Sequence, residues 1–312
     1  MTLTIGVDVG GTNVRAGVVD DSGCIIHRVQ RSTPVANREA VLASIAEAIR
    51  ECSAAHAVAI AGVAVAGFVD AAGTRLIFAA NLPLREEPLK AELESRTGLR
   101  VLVENDANAA AWGEYRFGGG HGDDMVCVTV GTGVGGGIVL GGRLVRGRWG
   151  FAAEIGHLRM VPGGLPCGCG RRGCLEQYAS GQALVREARH RAAEDRSAAG
   201  RLLALGDGTP EGVQGPHVTE AARLGDPVAV AAFHSIGTWL GEGLAQLAAV
   251  LDPASFVVGG GVSAAGDVLL APARVAYAGA LTAVEHRPPA EIRLAELGND
   301  AGLVGAADLA RS

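Results

Sequence analysis

The chain is 312 residues long, which exceeds the usual size of one domain and predicts two. Hydrophobic residues make up 48% of the chain and aromatic residues only 4%, so we expect sizeable cores packed mainly by Ala, Val, Leu and Ile. The net charge of -6 argues against a nucleic-acid groove, which needs a basic stripe.

The N-terminus lacks the cationic start and the long apolar core of a signal peptide. The longest apolar segment, residues 227–251, carries His234 and Glu242, which argues against a membrane span. We therefore expect a soluble, cytoplasmic protein that binds neither membranes nor nucleic acid.

The first predicted element is a three-stranded meander over residues 4–29, in which a glycine turn and an Asp-Ser-Gly turn join the strands. Residues 125–145 repeat this pattern, and Gly10 then aligns with Gly131, 121 positions later. The simplest interpretation is an internal duplication in which each copy opens a domain. Because glycine-rich hairpins are common, a chance likeness is the alternative.

Helical and strand-like segments alternate after each meander. This alternation predicts an α/β fold with mixed sheets. The predicted helices cover residues 38–52, 86–97, 107–115, 178–204, 227–251, a segment after Ser263, and 301–309, and the predicted strands cover 57–69, 101–104 and 256–258.

The turn of the first meander contains two consecutive glycines, Gly10 and Gly11, between Asp8 and Thr12. In such a turn backbone N–H groups can converge on an oxyanion, and the missing side chains let a phosphate approach. Asp8, at the strand end, could hold Mg²⁺ through water. An ordinary hairpin turn is the alternative.

The turn of the second meander, from Gly131 to Gly137, contains the spacing G-x-G-x-x-G. That spacing marks a dinucleotide site only when a helix follows it. Residues 138–140 are strand-like, so we reject a Rossmann site and predict a second phosphate-binding hairpin that faces the first across a cleft. The P-loop pattern G-x-x-x-x-G-K-[ST] does not occur in the sequence, which removes that class of nucleotide site.

Asp106 stands between a short predicted strand and an alanine-rich helical segment. One interpretation is a helix N-cap. The other is a general base that takes the proton of a hydroxyl as it attacks phosphorus, while Mg²⁺ and backbone donors stabilise the γ-phosphate charge. Asn105 beside it could hydrogen-bond neighbouring sugar hydroxyls. This motif alone leaves both interpretations open.

Four potential metal ligands, His157, Cys167, Cys169 and Cys174, lie close together in the sequence. One imidazole and three thiolates at this spacing match a closed, tetrahedral structural zinc site. Reduced free thiols or a redox pair are the alternatives. The chain has only six cysteines, so we expect no disulfide framework. The other three stand in apolar surroundings and are predicted to be buried: Cys24, Cys52 and Cys127.

Taken together, these segments resemble the ROK sugar kinases, and among them the actinobacterial type of ATP-dependent glucokinase. The resemblance covers the chain nearly end to end, and its most specific part is the metal segment with EIGH upstream. The matching motifs are DVGGT from residue 8, NLP from 81, ENDANAAAWGE from 104, GTGVGGG from 131, EIGH from 154, CGCGRRGCLEQYASG from 167 and GGGVS from 259.

The resemblance implies a duplicated, ribonuclease H-like fold of the actin-like ATPase class, with sugar and ATP in a cleft between two α/β domains. We expect a small domain of residues 1–115 and 300–312 that carries the first glycine turn and the catalytic aspartate. A large domain of residues 116–299 would carry the zinc site and the second glycine turn. The implied reaction is Mg²⁺- and ATP-dependent phosphorylation of the glucose 6-hydroxyl in glycolysis.

The resemblance also implies roles for individual residues. Asp106 would be the catalytic base, and His157 would use one ring nitrogen for zinc and the other for a sugar hydroxyl. The implied sugar-binding residues are Gly67, Asn81, Asn105, Asp106, Glu154, His157 and Glu176. The implied nucleotide-binding residues are Asp8, Gly10, Gly11, Thr12, Asn13, Gly131, Thr132, Gly133, Gly260 and Gly261.

Asn13 departs from the family pattern, because many relatives carry lysine after GGT. A charge that could neutralise phosphate is thereby lost, and polyphosphate is an alternative donor to ATP. Mannose, fructose and N-acetylmannosamine are alternative substrates. A sugar-sensing repressor is the alternative from another class. Such proteins carry a DNA-binding region ahead of the first strand, which here begins at residue 4, so we do not expect one. A homodimer or homotetramer is expected.

Overall fold

The computed structural model describes residues 2–120, 122 and 124–311. The chain divides into two compact units. Unit 1 consists of Met1–Cys127, Gly137–Ala153 and Ala295–Ser312, and unit 2 consists of Val128–Gly136 and Glu154–Leu294. The domain limits expected from the sequence, 1–115 with 300–312 and 116–299, stay a prediction.

A five-stranded sheet forms the centre of unit 1. β1 (Thr4–Val9) pairs antiparallel with β2 (Asn13–Val19), and β2 pairs antiparallel with β3 (Ile25–Ser32), so the first predicted meander is confirmed. Two parallel strands, β4 (Ile60–Val65) and β8 (Arg100–Asn105), extend the sheet in the order β3-β2-β1-β4-β8. The C-terminal ends of β1, β4 and β8 therefore meet at one edge, which is where such sheets bind ligands.

The remaining elements of unit 1 pack on this sheet or extend from it. A buried core of aliphatic residues from β1, β2 and β4 faces the apolar side of the helix that follows β3. These elements are α1 (Arg38–Ala55), α2 (Leu89–Thr97), α3 (Asp106–Phe117) and α10 (Ala301–Leu309), with a small sheet of β5 (Phe68–Val69), β6 (Leu76–Phe78) and β7 (Arg85–Glu87).

The C-terminal helix α10 lies very close to the central sheet because glycines face it. A Cβ atom added to Gly6 of β1 would lie 2.0 Å from the carbonyl oxygen of Leu303. One added to Gly62 of β4 would lie 1.8 Å from the carbonyl oxygen of Ala306. Any side chain at these two strand positions would displace the helix backbone.

The chain forms a second five-stranded sheet. Its strands β9 (Met125–Val130) and β10 (Val134–Leu140) begin 121 residues after β1 and β2, at 125 against 4 and 134 against 13, as the predicted duplication requires. β11 (Arg143–Leu144) pairs antiparallel with β10, while β12 (Ser255–Gly259) and β13 (Glu291–Leu294) pair parallel with each other. The strand order of this sheet is β11-β10-β9-β12-β13.

The helices of unit 2 include the long apolar segment, which begins at Pro227 after the N-cap Asp226 and ends at Leu251, as predicted. None of the described helices combines the length and the apolarity needed to cross a membrane. The helices are α4 (Glu176–Ala179), α5 (Gly181–Glu194), α6 (Gly200–Leu205), α7 (Gly215–Arg223), α8 (Pro227–Leu251) and α9 (Asp267–Ala280).

Three predicted elements differ from the structure. The helix expected over residues 178–204 is divided into α4, α5 and α6, with breaks at Ser180 and at residues 195–199. The helix expected over residues 86–97 begins only at Leu89, because Pro88 disfavours helical backbone in the residue before it, and Arg85–Glu87 forms β7 instead. The strand expected over 57–69 is broken between β4 and β5. Helix α7 has no counterpart in the prediction.

The scattered cysteines are not all buried as predicted. Cys52 and Cys127 are buried, and burial raises the pKa of the first thiol to about 11 and of the second to about 12. Cys24 is exposed, so that prediction is wrong. It lies at the end of the polar turn after β2, where its N–H donates to Oδ1 of Asp20 at 3.0 Å.

Candidate functional site

Asp106 is the first residue of α3, directly after β8 ends at Asn105. The N-cap is Asn105, whose Oδ1 accepts the N–H of Asn108 at 3.0 Å, so the N-cap interpretation of Asp106 is wrong. Nδ2 of Asn105 donates to the carbonyl oxygen of Gly67 at 3.0 Å and to Oδ1 of Asp106 at 3.1 Å. The Asn105 amide thus orients the Asp106 carboxylate at the C-terminal edge of the sheet.

A buried carboxylate supports this junction. The Glu104 side chain is 5% exposed, and its Oε1 accepts the N–H of Asn105 at 3.0 Å and Nδ2 of Asn108 at 3.1 Å. Its Oε2 accepts Nε of Arg146 at 2.6 Å. The sequence analysis assigns no role to Glu104 or Arg146. Their pairing joins residues 42 positions apart, which no local pattern reveals.

Gly67 and Asn81 lie on segments that follow β4 and β6. A Cβ atom at residue 67 would come 2.5 Å from the carbonyl oxygen of Phe78, so only glycine lets the chain pass here. A Cβ atom at Gly11 would lie 3.0 Å from Cβ of Asn81, which places Asn81 against the first glycine turn. Unit 1 therefore gathers its predicted sugar-binding residues around the end of β1, β4 and β8.

The first glycine turn is closed by a hydrogen bond from the N–H of Gly10 to the carbonyl oxygen of Asn13 at 2.9 Å. Thr33, the residue after β3, supports the turn. Its Oγ1 donates to the Gly10 carbonyl at 2.7 Å and its N–H donates to the Thr12 carbonyl at 2.9 Å. Nδ2 of Asn13 donates to Oγ1 of Thr12 at 3.2 Å. The turn is rigidly supported, as a phosphate-binding turn needs to be.

Asp8, the candidate magnesium ligand, forms an ion pair with Arg15 on the adjacent strand. Nη2 of Arg15 lies 2.6 Å from Oδ2 of Asp8, and Nη1 donates to the carbonyl oxygen of Asn299 at 3.1 Å. Burial raises the pKa of the Asp8 carboxyl, and the charge and hydrogen bond of Arg15 oppose the rise. Arg15 also lies two residues beyond Asn13 on the same face of β2, where it supplies a positive charge beside the turn.

The second glycine turn, in unit 2, is closed by the N–H of Gly131, which donates to the carbonyl oxygen of Gly133 at 2.9 Å. The Gly131 carbonyl accepts the N–H of Gly181 at 2.8 Å, at the start of α5. Oε2 of Glu176 accepts the N–H of Val134 at 3.2 Å. The predicted sugar ligand Glu176 is therefore in direct contact with the turn predicted to bind nucleotide.

Gly260 and Gly261 follow β12. Gly260 has a φ of +86°, and a Cβ atom there would lie 2.5 Å from the carbonyl oxygen of Val130 at the end of β9. Both the backbone conformation and this close approach require glycine. The Gly260 carbonyl accepts Oγ of Ser263 at 2.8 Å, which supports the short 3-10 helix that begins at Gly261.

A cavity of about 1180 Å³ opens in unit 2 beside these two glycine segments. Gly131, Thr132 and Gly261 line it, and they are three of the residues predicted to bind nucleotide. Its volume and its mixture of aliphatic and polar walls suit a nucleoside-sized ligand. The sequence analysis missed the rest of the lining, which includes Gln182, Leu184, Val185, Arg189, Pro216, Glu220, Arg223 and Val262.

The four predicted metal ligands converge in unit 2. Ligand atoms of His157, Cys167, Cys169 and Cys174 all lie within 4.8 Å of one another. The sulfur atoms of Cys169 and Cys174 are 3.7 Å apart, and Nδ1 of His157 is 3.7 Å from Sγ of Cys167. Tetrahedral zinc with Zn–S bonds of about 2.3 Å separates two sulfur ligands by about 3.8 Å. The residues therefore fit a structural Zn²⁺ site.

The backbone of the metal segment is fixed by close contacts. Gly173 has a φ of +81°, and its carbonyl oxygen accepts the N–H of Met160 at 2.8 Å and of Val161 at 3.1 Å. A Cβ atom at Gly173 would lie 1.6 Å from the Val161 carbonyl oxygen, so this position requires glycine. The hydroxyl oxygen of Tyr178 accepts a hydrogen bond from the N–H of Leu165 at 2.9 Å. The ligand positions are thus set by the fold of the loop itself.

The second ring nitrogen of His157 points away from the thiols. Nε2 lies 3.9 Å from Oε2 of Glu154, while Nδ1 faces Cys167. Burial raises the pKa of the Glu154 carboxyl, with His157 opposing the rise and Glu176 adding to it. Unit 2 thus brings Glu154, His157 and Glu176 together as a set of polar groups that could contact sugar hydroxyls.

The chain is similar to known sugar kinases along its whole length. The model of the ROK family matches residues 4–312. Sequence identity to a glucokinase of Streptomyces coelicolor is 53% over 312 residues, which cover 100% of this chain and 98% of that protein. Identity to an N-acetylmannosamine kinase of Yersinia pseudotuberculosis is 34% over 313 residues, covering 99% and 98%.

A solved structure of a ROK family protein is similar to this chain along its whole length. A ROK family glucokinase from Streptomyces griseus in complex with glucose and AMPPNP is 53% identical to this chain, with a TM-score of 0.89 over 99% of each chain. The predicted actin-like ATPase fold is thereby confirmed.

Proposed function

The chain belongs to the ROK family, and from this premise we propose that it catalyses ATP-dependent phosphorylation of glucose at the 6-hydroxyl, giving glucose 6-phosphate. The observation that carries the proposal is the Asp106 carboxylate, which Asn105 orients at the C-terminal edge of the sheet in unit 1. The identity of 53% to a Streptomyces glucokinase supports glucose as the sugar.

Asp106 acts in this proposal as the general base. The 6-hydroxyl must lose its proton as its oxygen attacks the γ-phosphorus, and one well-placed carboxylate suffices for that task. Nδ2 of Asn105 holds one carboxylate oxygen at 3.1 Å, which restricts the orientation of the carboxylate. Positioning of this kind lowers the barrier because no reorientation is needed at the moment of transfer.

Polar groups of the predicted sugar-binding residues are proposed to bind the sugar hydroxyls. In unit 1 these are Asn81 and Asn105, with the backbone at Gly67. In unit 2 they are Glu154, Glu176 and Nε2 of His157. Carboxylates and imidazole accept hydrogen bonds from hydroxyl groups, and the distance of 3.9 Å between Nε2 of His157 and Oε2 of Glu154 supports a shared ligand.

ATP is proposed as the phosphoryl donor, with its nucleoside in the cavity beside Gly131, Thr132 and Gly261. The glycine turns that carry Gly10–Asn13, Gly131–Gly133 and Gly260–Gly261 would bind phosphate through backbone N–H groups. A cavity of about 1180 Å³ with aliphatic walls favours a nucleotide over polyphosphate, which has no apolar part to fill it.

Two metals are part of the proposal. Zn²⁺ held by His157, Cys167, Cys169 and Cys174 would fix the loop from which His157 and Glu176 project, and its role is structural because protein ligands fill all four positions. Mg²⁺ would neutralise the phosphate charge of ATP, and Asp8 would hold it through water.

A coupled assay of ADP release with a panel of hexoses tests the proposal. We expect a kcat/KM for glucose at least about tenfold above those for mannose, fructose and N-acetylmannosamine, a ratio that a few pocket contacts can supply. The 34% identity to an N-acetylmannosamine kinase makes that sugar the second candidate. Asp106→Asn should lower kcat by several orders of magnitude. Replacing ATP with polyphosphate should abolish turnover.

We also propose that the protein works in the cytoplasm as a homodimer or homotetramer, as the family resemblance implies. Light scattering on the purified chain over a range of concentrations tests the assembly, and a mass equal to one chain at every concentration would contradict it.

A further inference from the structure

We propose that Glu104 and Arg146 form a positioning pair for Asp106, and this inference rests on the proposed function. Neither residue is among those proposed to bind sugar, nucleotide or metal. Both belong to unit 1, and their ion pair lies directly behind the strand-to-helix junction that carries the catalytic carboxylate.

One oxygen of Glu104 ties together the two sides of the junction. Oε1 accepts the backbone N–H of Asn105, the last residue of β8, at 3.0 Å. The same oxygen accepts Nδ2 of Asn108, in the first turn of α3, at 3.1 Å. Asp106 lies between these two anchored residues. The direction in which its side chain leaves the backbone is therefore fixed by Glu104.

Arg146 holds this carboxylate in place and compensates its burial. The Glu104 side chain is almost fully buried, and a buried carboxylate is unfavourable unless a cation and hydrogen bonds compensate it. Nε of Arg146 donates to Oε2 at 2.6 Å, the length of a charge-assisted hydrogen bond. The Arg146 carbonyl in turn accepts the N–H of Ala152 at 3.1 Å, so a turn of its own holds the arginine.

The expected consequence is a loss of turnover rather than of sugar affinity. A general base must lie within hydrogen-bond reach of its proton, and a displacement of about 1 Å can cost as much as ~100-fold in rate. Sugar binding is shared among several other groups. A loosened junction should thus lower kcat by about tenfold and change KM for glucose by less than about threefold.

Glu104→Gln is the matched variant for this test. The glutamine can keep its oxygen for Asn105 and Asn108, but its NH₂ group would face the N–H of Arg146. The ion pair and its hydrogen bond are then lost, while the two hydrogen bonds to the junction can remain. Glu87→Gln is the control, because the Glu87 side chain is also buried, 4% exposed, and accepts Nε of Arg38 at 2.6 Å. We expect similar losses of thermal stability in both variants and a fall in kcat in Glu104→Gln alone.

The deciding measurement repeats Glu104→Gln in the Asp106→Asn background, with product accumulated over long incubations. If Glu104 acts through Asp106, the second substitution should lower the residual rate less than twofold. The same tenfold loss in both backgrounds would overturn the proposal, as would an unchanged kcat in Glu104→Gln. Arg146→Met provides the same test from the partly exposed partner if Glu104→Gln does not fold.

The outcome also separates this inference from the proposed function. Full turnover in Asp106→Asn would contradict the assignment of the base itself. A collapsed rate in Asp106→Asn together with a normal rate in both Glu104→Gln and Arg146→Met would contradict only the positioning pair.

Discussion

Gly133 and Glu176 fit together only because residue 133 has no side chain: a Cβ atom there would lie 2.1 Å from Oε2 of Glu176. The other carboxylate oxygen, Oε1, lies 3.7 Å from Sγ of Cys167. The Glu176 carboxylate therefore contacts both the second glycine turn and the metal cluster of unit 2.

Gly133→Ala should push the Glu176 carboxylate off the turn. The displaced atom is the end of a flexible side chain, so the main loss is the hydrogen bond from the N–H of Val134 to Oε2 of Glu176. We therefore expect the free energy of unfolding in urea to fall by about 1–2 kcal/mol. Losing one charge-assisted contact of about 1.5 kcal/mol should raise KM for glucose about tenfold. Both quantities are measured on the purified variant, by urea unfolding and by steady-state kinetics.

Gly131→Ala is the stability control for this experiment. It changes a glycine of the same turn, but no atom lies within 4 Å of the added Cβ. Its free energy of unfolding should change by less than about 0.5 kcal/mol. If both alanine variants were destabilised equally, the contact between Gly133 and Glu176 would not be the cause.

Cys169→Ser should remove one of four ligands and release zinc. Binding of structural zinc is coupled to folding, so we expect a lower Tm and weaker glucose binding in the same variant. Metal analysis should find about one zinc per wild-type chain and far less in the variant. Cys24→Ser is the control, since Cys24 is exposed and outside the cluster. A zinc-free variant that binds glucose normally would contradict the link between metal and site.

Several features of this site could be read from the sequence, and others could not. The four metal ligands follow from local spacing, and the glycine turns follow from the two meanders. The limits of α8 match the predicted segment 227–251, and in the structure Asp226 caps the helix that begins at Pro227. Glu104 and Arg146 escape such reasoning, because a buried ion pair between distant segments leaves no periodic pattern.

Caps and burial also limit what a sequence reveals. An aspartate before a helix is a common N-cap, yet here Asn105 takes that role and frees the next residue for chemistry. Cys24 looks apolar by its neighbours, yet the hydrogen bonds of Asp20 hold the turn at the surface. Asn105 adjoins Asp106, and Asp20 lies four positions before Cys24. At such short separations only the three-dimensional contacts show which residue caps the helix and whether the cysteine is exposed.

The ionisation of Asp8 should make stability depend on pH. Burial raises its pKa, so the folded chain holds this proton more tightly than the unfolded chain. The associated stability is fully present below the unfolded pKa of about 4 and is lost as the pH rises through the folded pKa. Asp8→Asn cannot ionise. Its free energy of unfolding, relative to wild type, should therefore increase between about pH 4 and pH 7.

Urea unfolding of the wild type and Asp8→Asn at a series of pH values measures this difference. Arg15→Ala removes the group that opposes the pKa shift, so it should steepen the loss of stability with rising pH in a chain that retains Asp8. A difference between Asp8→Asn and wild type that stays constant across this range would show that the Asp8 pKa is the same in the folded and unfolded chain.

Two further glycine-to-alanine substitutions should change stability in opposite directions. At Gly62 the added Cβ would lie 1.8 Å from the carbonyl oxygen of Ala306, so α10 must shift and we expect a loss of at least about 3 kcal/mol. At Gly279, an exposed position in α9, nothing lies within 4 Å, and alanine should stabilise the helix by about 0.5–1 kcal/mol. Urea unfolding measures both changes. If Gly62→Ala were tolerated, α10 would have to be able to move away from β4, and the glycines that face it would no longer explain its close packing.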